Sequence, residues 1–244
     1  MNNNQYNIII VPDIHGRTFW KSIIPLLENN QIINKIVFLG DYLDPYPNEH
    51  ISKSSAISIF NDIIQLKKSY PNKIILLLGN HDLEYISPIM TPCRCDTKNY
   101  NQIQSVFLDN LPLFQLIYIY DNFLFSHAGI INQWYNAVQP LLNLNDISDL
   151  NTLLQNNNYH LYIYLNCISF YRGGYDSVGS PVWADVHEHI NNKQFKNYIQ
   201  IFSHTQLLKP IKLNDYTYSI DTRQLFYIDD DNNVKLFNDN SEII

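Results

Sequence analysis

Side chains of the kinds that bind divalent metals recur in short polar clusters between residues 13 and 204. These side chains are Asp13, His15, Asp41, Asp44, Asn80, His81, Asp82, His127 and His204. Carboxylate and imidazole ligands, together with an amide, suit Mn, Fe, Zn, Ni or Co, and the lack of thiolates in these clusters argues against a structural zinc site. The set is larger than one ion needs. It therefore predicts two divalent ions about 3.5–4 Å apart, joined by a bridging carboxylate.

Each polar cluster follows directly after a short apolar run that is rich in Ile, Val, Leu and Phe. The runs are residues 7–11, 35–39, 73–78, 122–125 and 200–202. Continuous apolar runs of this length are typical of strands that are buried on both faces. Ligands of open α/β sheets bind at the carboxyl ends of the strands. We therefore expect the five clusters to converge on one edge of a sheet.

Helical patterns separate the first three strands. Residues 18–29 and 52–69 place apolar side chains at helical spacing, and Pro71 ends the second helix. The resulting β-α-β-α-β order predicts a sheet of largely parallel strands in an α/β domain. Residues 102–120 predict a helix that is followed by one aromatic strand over 114–120.

The later part of the chain has a less regular pattern. We expect residues 141–180 to form a helical insertion that shapes specificity. Three apolar runs, 216–220, 225–228 and 234–237, predict antiparallel strands, with an acidic turn before the last of them. The tail over 239–244 is expected to fray.

Length and charge limit the class of protein. A chain of 244 residues with 45% hydrophobic and 16% charged residues predicts one domain over 1–244 with a sizeable core. The formal net charge is −7, and only four arginines are present. Nucleic-acid binders usually carry a basic face, so a nucleic-acid partner is disfavoured.

The cysteine residues and the N-terminal segment indicate the cellular compartment in which the protein is expected. Cys93, Cys95 and Cys167 are too few for a disulfide framework, and the spacing of the first two does not match a zinc knuckle. The first residues are polar, without the apolar stretch of a signal peptide, and no run approaches the roughly 18 apolar residues of a membrane span. We therefore expect a cytoplasmic protein with reduced thiols and no membrane partner.

The five polar clusters together resemble the five sequence blocks of the calcineurin-like metallophosphoesterase superfamily. The blocks are Asp13-Ile14-His15-Gly16, Gly40-Asp41-Tyr42-Leu43-Asp44, Gly79-Asn80-His81-Asp82, Ser126-His127-Ala128-Gly129 and Ser203-His204-Thr205. They follow the family's order. The pattern is most similar to the phosphoprotein-phosphatase-like branch, which includes bacterial Ser/Thr phosphatases and symmetrical diadenosine tetraphosphatases. The resemblance implies a four-layer α/β/β/α sandwich, in which helices flank two mixed β-sheets.

The resemblance also implies a ligand set and a reaction. The implied metal ligands are Asp13 and His15 for the first ion, Asp41 for both ions, and Asn80, His127 and His204 for the second. The implied cofactors are two divalent ions, with Mn favoured and Fe, Zn, Ni or Co also suitable. A water or hydroxide that bridges the ions attacks phosphorus in line. His81 protonates the leaving oxygen, Asp44 holds the His81 imidazole, and Asp221 orients a ligand histidine.

Three positions depart from the family's pattern. Pro12 replaces the usual Gly before Asp13, but it lies at a strand end, where proline is tolerated, so the ligands are kept. Asp82 replaces the Glu of phosphoprotein phosphatases. Pro45 replaces an Arg that commonly clamps the substrate phosphate, so another cation has to take that role. A planar guanidinium group can bind phosphate through two parallel hydrogen bonds. Arg172, in a Gly-rich stretch, is the first candidate, and Arg17 and Arg94 are weaker candidates.

The same residues leave other interpretations open. Asp44 can act as a loop cap, Asp221 as a turn residue and Arg172 as a surface cation. Three functions compete. The first is hydrolysis of a phosphomonoester or phosphoanhydride, as in a protein Ser/Thr phosphatase or a nucleotide polyphosphatase. The second is a phosphodiesterase or nucleic-acid end-processing enzyme, and the third is a catalytically silent metal-binding scaffold. The retained pair of His81 and Asp44 favours the first, with a phosphorylated protein or small molecule as substrate.

Overall fold

The computed structural model describes residues 6–28, 33–89 and 94–237. The tail over 239–244, which is predicted to fray, lies outside these residues, and so does Cys93. The other two cysteines, Cys95 and Cys167, are free and half-buried. No helix in the described ranges combines the length and the apolar character that crossing a membrane requires.

The described residues contain eleven strands and eight α-helices, numbered here in chain order. The strands are β1 (Tyr6–Val11), β2 (Ile33–Phe38), β3 (Ile74–Leu77), β4 (Phe114–Gln115), β5 (Tyr118–Tyr120), β6 (Phe123–Phe125), β7 (Ile199–Phe202), β8 (Ile211–Asn214), β9 (Thr217–Ser219), β10 (Phe226–Ile228) and β11 (Val234–Leu236). The α-helices are α1 (Ile24–Glu28), α2 (Lys53–Ser69), α3 (Asn80–Ile86), α4 (Tyr100–Asp109), α5 (Asn132–Val138), α6 (Asp149–Gln155), α7 (Tyr159–Leu165) and α8 (Val186–His189). Short 3₁₀ turns cover Phe19–Ile23, Pro47–Glu49, Leu111–Leu113 and Phe170–Arg172.

The strands form two mixed sheets. Within the described residues, the first sheet has the order β11-β10-β1-β2-β3-β4, and the second has the order β5-β6-β7-β9-β8. Strands β1 to β4 are mutually parallel, whereas β10 pairs with β1 in the antiparallel direction. In the second sheet β6, β7 and β9 are parallel, and β5 and β8 are antiparallel edge strands. The predicted parallel core is therefore confirmed.

Both faces of the central strands are buried. Ile8 and Ile10 of β1 belong to an apolar cluster that also contains Phe125 of β6, between the two sheets. Ile9 belongs instead to the larger cluster that includes Ile63 of α2, on the helical side. Successive residues of a strand point to opposite faces, so a run without polar residues is what a doubly covered strand requires. The architecture is the expected four-layer α/β/β/α sandwich.

The segment from 114 to 120 differs from the prediction of one strand. It is divided into β4, in the first sheet, and β5, in the second. At the break, the backbone N–H groups of Leu116 and Ile117 donate to Oδ1 of Asn151, at 2.8 and 3.0 Å. These two N–H groups are therefore bound to the Asn151 side chain instead of to a neighbouring strand, as they would be in one continuous strand. The chain therefore crosses from one sheet to the other at this point.

The C-terminal strands also differ from the prediction. The first of the three predicted antiparallel strands is β9, which lies in the second sheet and runs parallel to β7. Its antiparallel neighbour is β8, which the sequence patterns did not reveal. The prediction is confirmed only for β10 and β11, which pair in the antiparallel direction across a turn held by Asp229. A strand pattern does not specify which sheet receives the strand.

The predicted helical insertion contains α6 and α7. Helix α7 begins after Asn158, whose side chain accepts a hydrogen bond from the Leu161 N–H. After α7, the chain makes a 3₁₀ turn over Phe170–Arg172 that ends at Gly173 with φ of 78°. This turn brings Arg172 towards the carboxyl ends of the parallel strands.

Candidate metal centre

The predicted ligands follow strands of both sheets. Asp13, Asp41 and Asn80 follow β1, β2 and β3 of the first sheet, whereas His127 and His204 follow β6 and β7 of the second. The convergence of the five clusters is confirmed, but the prediction that they share one sheet edge is wrong. Two sheets packed face to face bring two carboxyl edges together, and the site lies where those edges meet.

Asp41 lies between the other ligands. Its Oδ2 atom is 3.5 Å from Nε2 of His15 and 3.5 Å from Nε2 of His127. Asp41 belongs to two groups of side chains with converging ligand atoms: one with His15 and His81, and one with His127 and His204. A carboxylate common to two such groups has the geometry that a bridging ligand needs.

Backbone carbonyls orient the histidine rings. Nδ1–H of His15 donates to the Leu43 carbonyl at 2.8 Å, and Nδ1–H of His127 donates to the Leu39 carbonyl at 2.8 Å. Each contact turns the Nε2 lone pair towards Asp41. Burial lowers the pKa of His15 and His127, and burial and the Arg172 charge lower the pKa of His204. Neutral imidazoles, which metal binding requires, are therefore favoured.

Asp13 and Asn80 complete the set of six predicted metal ligands. The Ser203 hydroxyl donates to Oδ1 of Asp13 at 2.5 Å, and the His204 backbone N–H lies 3.3 Å from the same atom. The Asn80 Oδ1 atom is 3.1 Å from Nε2 of His127. The structure therefore brings together all six side chains that the sequence predicts as metal ligands.

Asp221 lies beside Asp13 rather than beside a ligand histidine. Its carboxyl is within hydrogen-bonding reach of Asp13, and burial and the Asp13 charge raise the pKa of Asp221 well above its usual range. Its Oδ1 atom is buried and has no hydrogen-bond partner among the described residues. The described contacts thus differ from the expectation that Asp221 orients a histidine, since backbone carbonyls do so for His15 and His127.

The donor set fits divalent cations. Burial and the charge of Asp13 also raise the pKa of Asp41 well above its usual range. Three carboxyl groups, those of Asp13, Asp41 and Asp221, are thus buried among neutral imidazoles. Concentrated positive charge at this point would offset the cost of ionising them. Oxygen and nitrogen donors without thiolates suit Mn, Fe or Zn.

The backbone is strained at four of these positions. His15, Asp41, Asp44 and His204 have φ values of 44°, 52°, 59° and 62°. This left-handed region is uncommon for residues other than glycine, and such strain concentrates at functional sites. The first two turns are tied together, because the N–H of His15 donates to the Asp41 carbonyl at 2.7 Å.

Gly79 leaves the space that two ligands occupy. A Cβ atom at this position would collide with Oδ1 of Asp41 and would lie 2.7 Å from Cε1 of His127. The adjacent helix α3 begins at Asn80, so the sharp transition from β3 to α3 places Asn80 and His81 in the site. Glycine is required here by close approach rather than by its conformation.

Asp82 ties two loops together rather than facing the ligand groups. Its carboxylate accepts hydrogen bonds from the N–H groups of Gly79 (2.8 Å), Asp41 (2.8 Å) and Tyr42 (3.0 Å). Burial raises the pKa of Asp82 to about 8, although these hydrogen bonds act in the opposite direction. The residue caps α3 and links the turn after β2 to the turn after β3.

His81 and Asp44 form the predicted pair. Nδ1–H of His81 donates to Oδ2 of Asp44 at 3.2 Å. The other carboxylate oxygen of Asp44 accepts a 2.6 Å hydrogen bond from the Tyr85 hydroxyl, which in turn accepts from the Asp96 N–H at 2.6 Å. The sequence patterns did not single out Tyr85. Tyr85 follows His81 by four residues, so a prediction of helix α3 would have placed both side chains on the same face of that helix.

A cleft of about 640 Å³ opens beside the candidate ligands. It is lined by Asp41, Tyr46, Asn80, His81, Arg94, Ile168, Tyr171, Arg172, Gly173, Trp183 and His204. A neighbouring groove of about 650 Å³ shares Tyr171, but none of the predicted ligands is among its described lining residues. We therefore assign the functional role to the cleft, because it joins open space to the clustered ligands.

Two of the three candidate arginines line the cleft. Nε of Arg172 donates to Nε2 of His204 at 2.9 Å and lies 3.4 Å from Oδ2 of Asp185. Arg94 lies on the His81 side, with Nη2 3.2 Å from Nε2 of His81. Arg17 is directed elsewhere, in an ion pair with Glu49 at 3.0 Å.

The calcineurin-like phosphoesterase family model matches residues 6–222, which include every cluster described above. The chain belongs to the calcineurin-like phosphoesterase family. It is therefore a metal-dependent phosphoric ester hydrolase, with candidate ligand groups around Asp41.

Two solved structures share the fold of this calcineurin-like phosphoesterase. One is a cold-active protein-tyrosine phosphatase of a psychrophilic Shewanella species, with a TM-score of 0.60, 14% identity, and coverage of 95% of this chain and 77% of that chain. The other is a cold-active protein tyrosine phosphatase with a TM-score of 0.60, 15% identity, and coverage of 98% of this chain and 81% of that chain. At this level of identity the likeness concerns the fold alone.

Proposed function

We propose that this calcineurin-like phosphoesterase hydrolyses a phosphomonoester or a phosphoanhydride with the help of two divalent ions, of which Mn is favoured. The observation that carries this proposal is the position of Asp41 between two ligand groups, with His81, the partner of Asp44, lining the same cleft. Protein Ser/Thr phosphatase and nucleotide polyphosphatase activities are the substrate classes proposed from sequence. The names of the two fold neighbours add phosphotyrosine to the substrates to be tested.

The ligand roles are assigned as follows. Asp13 and His15 would hold the first ion, Asp41 would hold both, and Asn80, His127 and His204 would hold the second. When bound, the cations would supply Lewis-acid activation of water and would neutralise charge on the phosphoryl oxygens. The protein contributes orientation, because the Leu43 and Leu39 carbonyls fix two of the rings and Ser203 fixes Asp13.

His81 is proposed to protonate the leaving oxygen. Asp44 accepts from Nδ1–H, which directs Nε2 of His81 into the cleft. Tyr85 holds the carboxylate from the other side, so the ring is kept in one orientation.

Arg172 is proposed to contact the substrate phosphate from the His204 side of the cleft. Its guanidinium is oriented by the carbonyl of His204, at 2.8 Å from Nη2, and by Asp185. The 3₁₀ turn that carries it ends at Gly173, within the insertion that is predicted to shape specificity. A guanidinium held at the wall of a cleft suits recognition of a phosphoryl group.

The test combines metal content with hydrolysis. Protein reconstituted with Mn is assayed on p-nitrophenyl phosphate and bis(p-nitrophenyl) phosphate, with Asp41→Asn as the control. We expect about two metals per chain, preference for the monoester, and loss of both metal and turnover in the variant. Preference for the diester would support the phosphodiesterase alternative. Bound metal without turnover on any phosphoester would support the scaffold alternative, and absence of bound metal would contradict the ligand assignment.

A further inference from the structure

Arg94 lies against an aromatic ring in the wall of the cleft. Its guanidinium carbon is 3.8 Å from the centre of the Tyr46 ring, and its Nη2 atom is 3.2 Å from Nε2 of His81. Arg94, Tyr46 and His81 all line the cleft. The charge of Arg94 therefore adjoins the side chain that is proposed to deliver the proton.

Arg94 differs from the other arginines in its counter-ions. Arg17 and Arg223 both pair with Glu49, and Arg172 pairs with Asp185. In the part of the chain that the structure describes, no carboxylate forms an ion pair with Arg94 within 4.0 Å. Its described partners are an uncharged ring face and a ring nitrogen. Such a cation retains its capacity for an anionic ligand.

The loop that contains Pro45 and Tyr46 supplies the surface against which Arg94 lies. Residue 45, where the family commonly has an arginine, is a proline. The next residue, Tyr46, supplies the aromatic ring over which the Arg94 guanidinium is placed. The Tyr46 ring also packs edge-on against His15, with ring centres 4.9 Å apart. The position of this ring is thereby linked to the metal centre, and a guanidinium held over the ring face keeps N–H groups that can bind an anion.

We propose that Arg94 binds the substrate phosphoryl group from the His81 side of the cleft, while Arg172 binds it from the His204 side. This inference rests on the proposed hydrolase function and narrows the substrate class. Two guanidinium groups favour a dianionic terminal phosphate over a phosphodiester, which carries a single negative charge. Phosphate oxygens are stronger acceptors than a ring nitrogen, so Arg94 exchanges its contact with His81 for the phosphate when the substrate enters.

The test measures binding as well as turnover. Mn-loaded wild type, Arg94→Gln, Arg94→Lys and Tyr46→Leu are titrated calorimetrically with inorganic phosphate and assayed on p-nitrophenyl phosphate and its bis ester. We expect Arg94→Gln to weaken phosphate binding and to lower monoester kcat/KM by roughly 10- to 100-fold, with unchanged Mn content. Arg94→Lys should restore part of the loss, because an ammonium keeps the charge without the planar fork. The phosphate affinity of Tyr46→Leu should lie between the affinities of Arg94→Gln and Arg94→Lys. The ratio of monoester to diester kcat/KM should drop in Arg94→Gln.

Lys21→Gln serves as the matched loss of one positive charge, because Lys21 pairs with Asp62 in an exposed ion pair and is not among the residues that line the cleft. It should bind phosphate as wild type does. Wild-type phosphate affinity and an unchanged monoester-to-diester ratio in Arg94→Gln would overturn the inference and leave the proposed function standing. Loss of Mn in both Arg94 variants would also overturn it. If the wild type hydrolyses no phosphoester, the proposed function fails, and the phosphate titration still decides the role of Arg94.

Discussion

Nδ1 of His81 lies 3.2 Å from Oδ2 of Asp44, and this contact links the turn after β2 to the first turn of α3. Both side chains are buried, although His81 also borders the cleft. Burial holds the pair in one geometry, and the cleft gives the other ring nitrogen access to a substrate. The relationship makes the role of His81 testable through the nature of the leaving group.

Replacement of His81 by alanine should affect poor leaving groups most. Without a proton donor, hydrolysis of an alkyl phosphate should slow by roughly 10²- to 10⁴-fold. Hydrolysis of p-nitrophenyl phosphate should slow much less, because its leaving group departs as a stable anion. Steady-state kinetics on both substrates, at equal Mn content, checks this. An equal loss on both substrates would contradict the role of proton donor and would indicate a role in positioning.

Removal of the Tyr85 hydroxyl should impair both stability and turnover. Tyr85→Phe leaves one oxygen of Asp44 and the N–H of Asp96 without their partner, and this should lower the free energy of unfolding by about 1–3 kcal/mol. A less constrained Asp44 should also lower kcat. Tyr162→Phe is the matched control, since that hydroxyl donates to Asn157 and is not among the residues that line the cleft. If both variants keep the wild-type kcat, Tyr85 has a structural role only.

Gly79→Ala should abolish metal binding. The added methyl group would collide with Oδ1 of Asp41 and approach the His127 ring, so the two ligands cannot keep their positions. Gly173→Ala is the comparison, because among the described residues, apart from its two neighbours in the chain, no atom lies within 4 Å of the added Cβ. Its φ of 78° makes alanine unfavourable by about 1–2 kcal/mol, but the metal content should be unchanged. Metal analysis after gel filtration checks both; a fully metallated Gly79→Ala protein would refute the packing argument.

The contribution of Asp221 to the stability of the metal-free protein should decrease as pH rises. Burial and the Asp13 charge raise the pKa of Asp221, so above about pH 4 the folded chain holds a proton that the unfolded chain has released. The resulting stabilisation is complete below the unfolded pKa and is lost as pH rises through the raised folded pKa. Asp41 shifts in the same direction.

Asp221→Asn should therefore flatten this dependence. Urea unfolding of chelator-treated wild type and variant, compared over a series of pH values, measures the difference between their slopes. The lowered pKa values of the buried histidines act equally on both proteins, so they cancel in the comparison. Bound Mn should reduce the slope in the wild type, because its charge favours the ionised carboxylates. Parallel curves for the two metal-free proteins would show that Asp221 titrates normally.

Much of the site was predictable because each part of it is local. The turn residues stand directly after apolar runs, and a chain that leaves a buried strand must place its next polar side chains at the strand end. Asp13, Asp41 and His127 were therefore assignable to one site without knowledge of the sheet order. Helix α2 was equally predictable, because Ser52 and Pro71 mark its ends.

Contacts between distant residues were not predictable in the same way. The hydroxyl of Tyr85 reaches Asp44 across 41 positions of sequence, and nothing in the local pattern marks it. The contact of Arg94 with Tyr46 depends on two loops whose mutual position the periodicity does not describe. Asn151 lies in α6, 35 and 34 positions after Leu116 and Ile117, whose N–H groups it binds at the break between β4 and β5.

The sequence by itself determined the chemistry of this protein, because ligand type, order along the chain and position after a strand are local properties. It determined the parallel core for the same reason, since apolar runs without polar residues have to be covered on both faces. Only the tertiary structure decided that two sheets rather than one supply the ligands. It also decided that Asp221 faces Asp13 and that Arg94 lies in the cleft. Those outcomes depend on how separate elements pack, and the packing is set by long-range burial rather than by the preferences of any single segment.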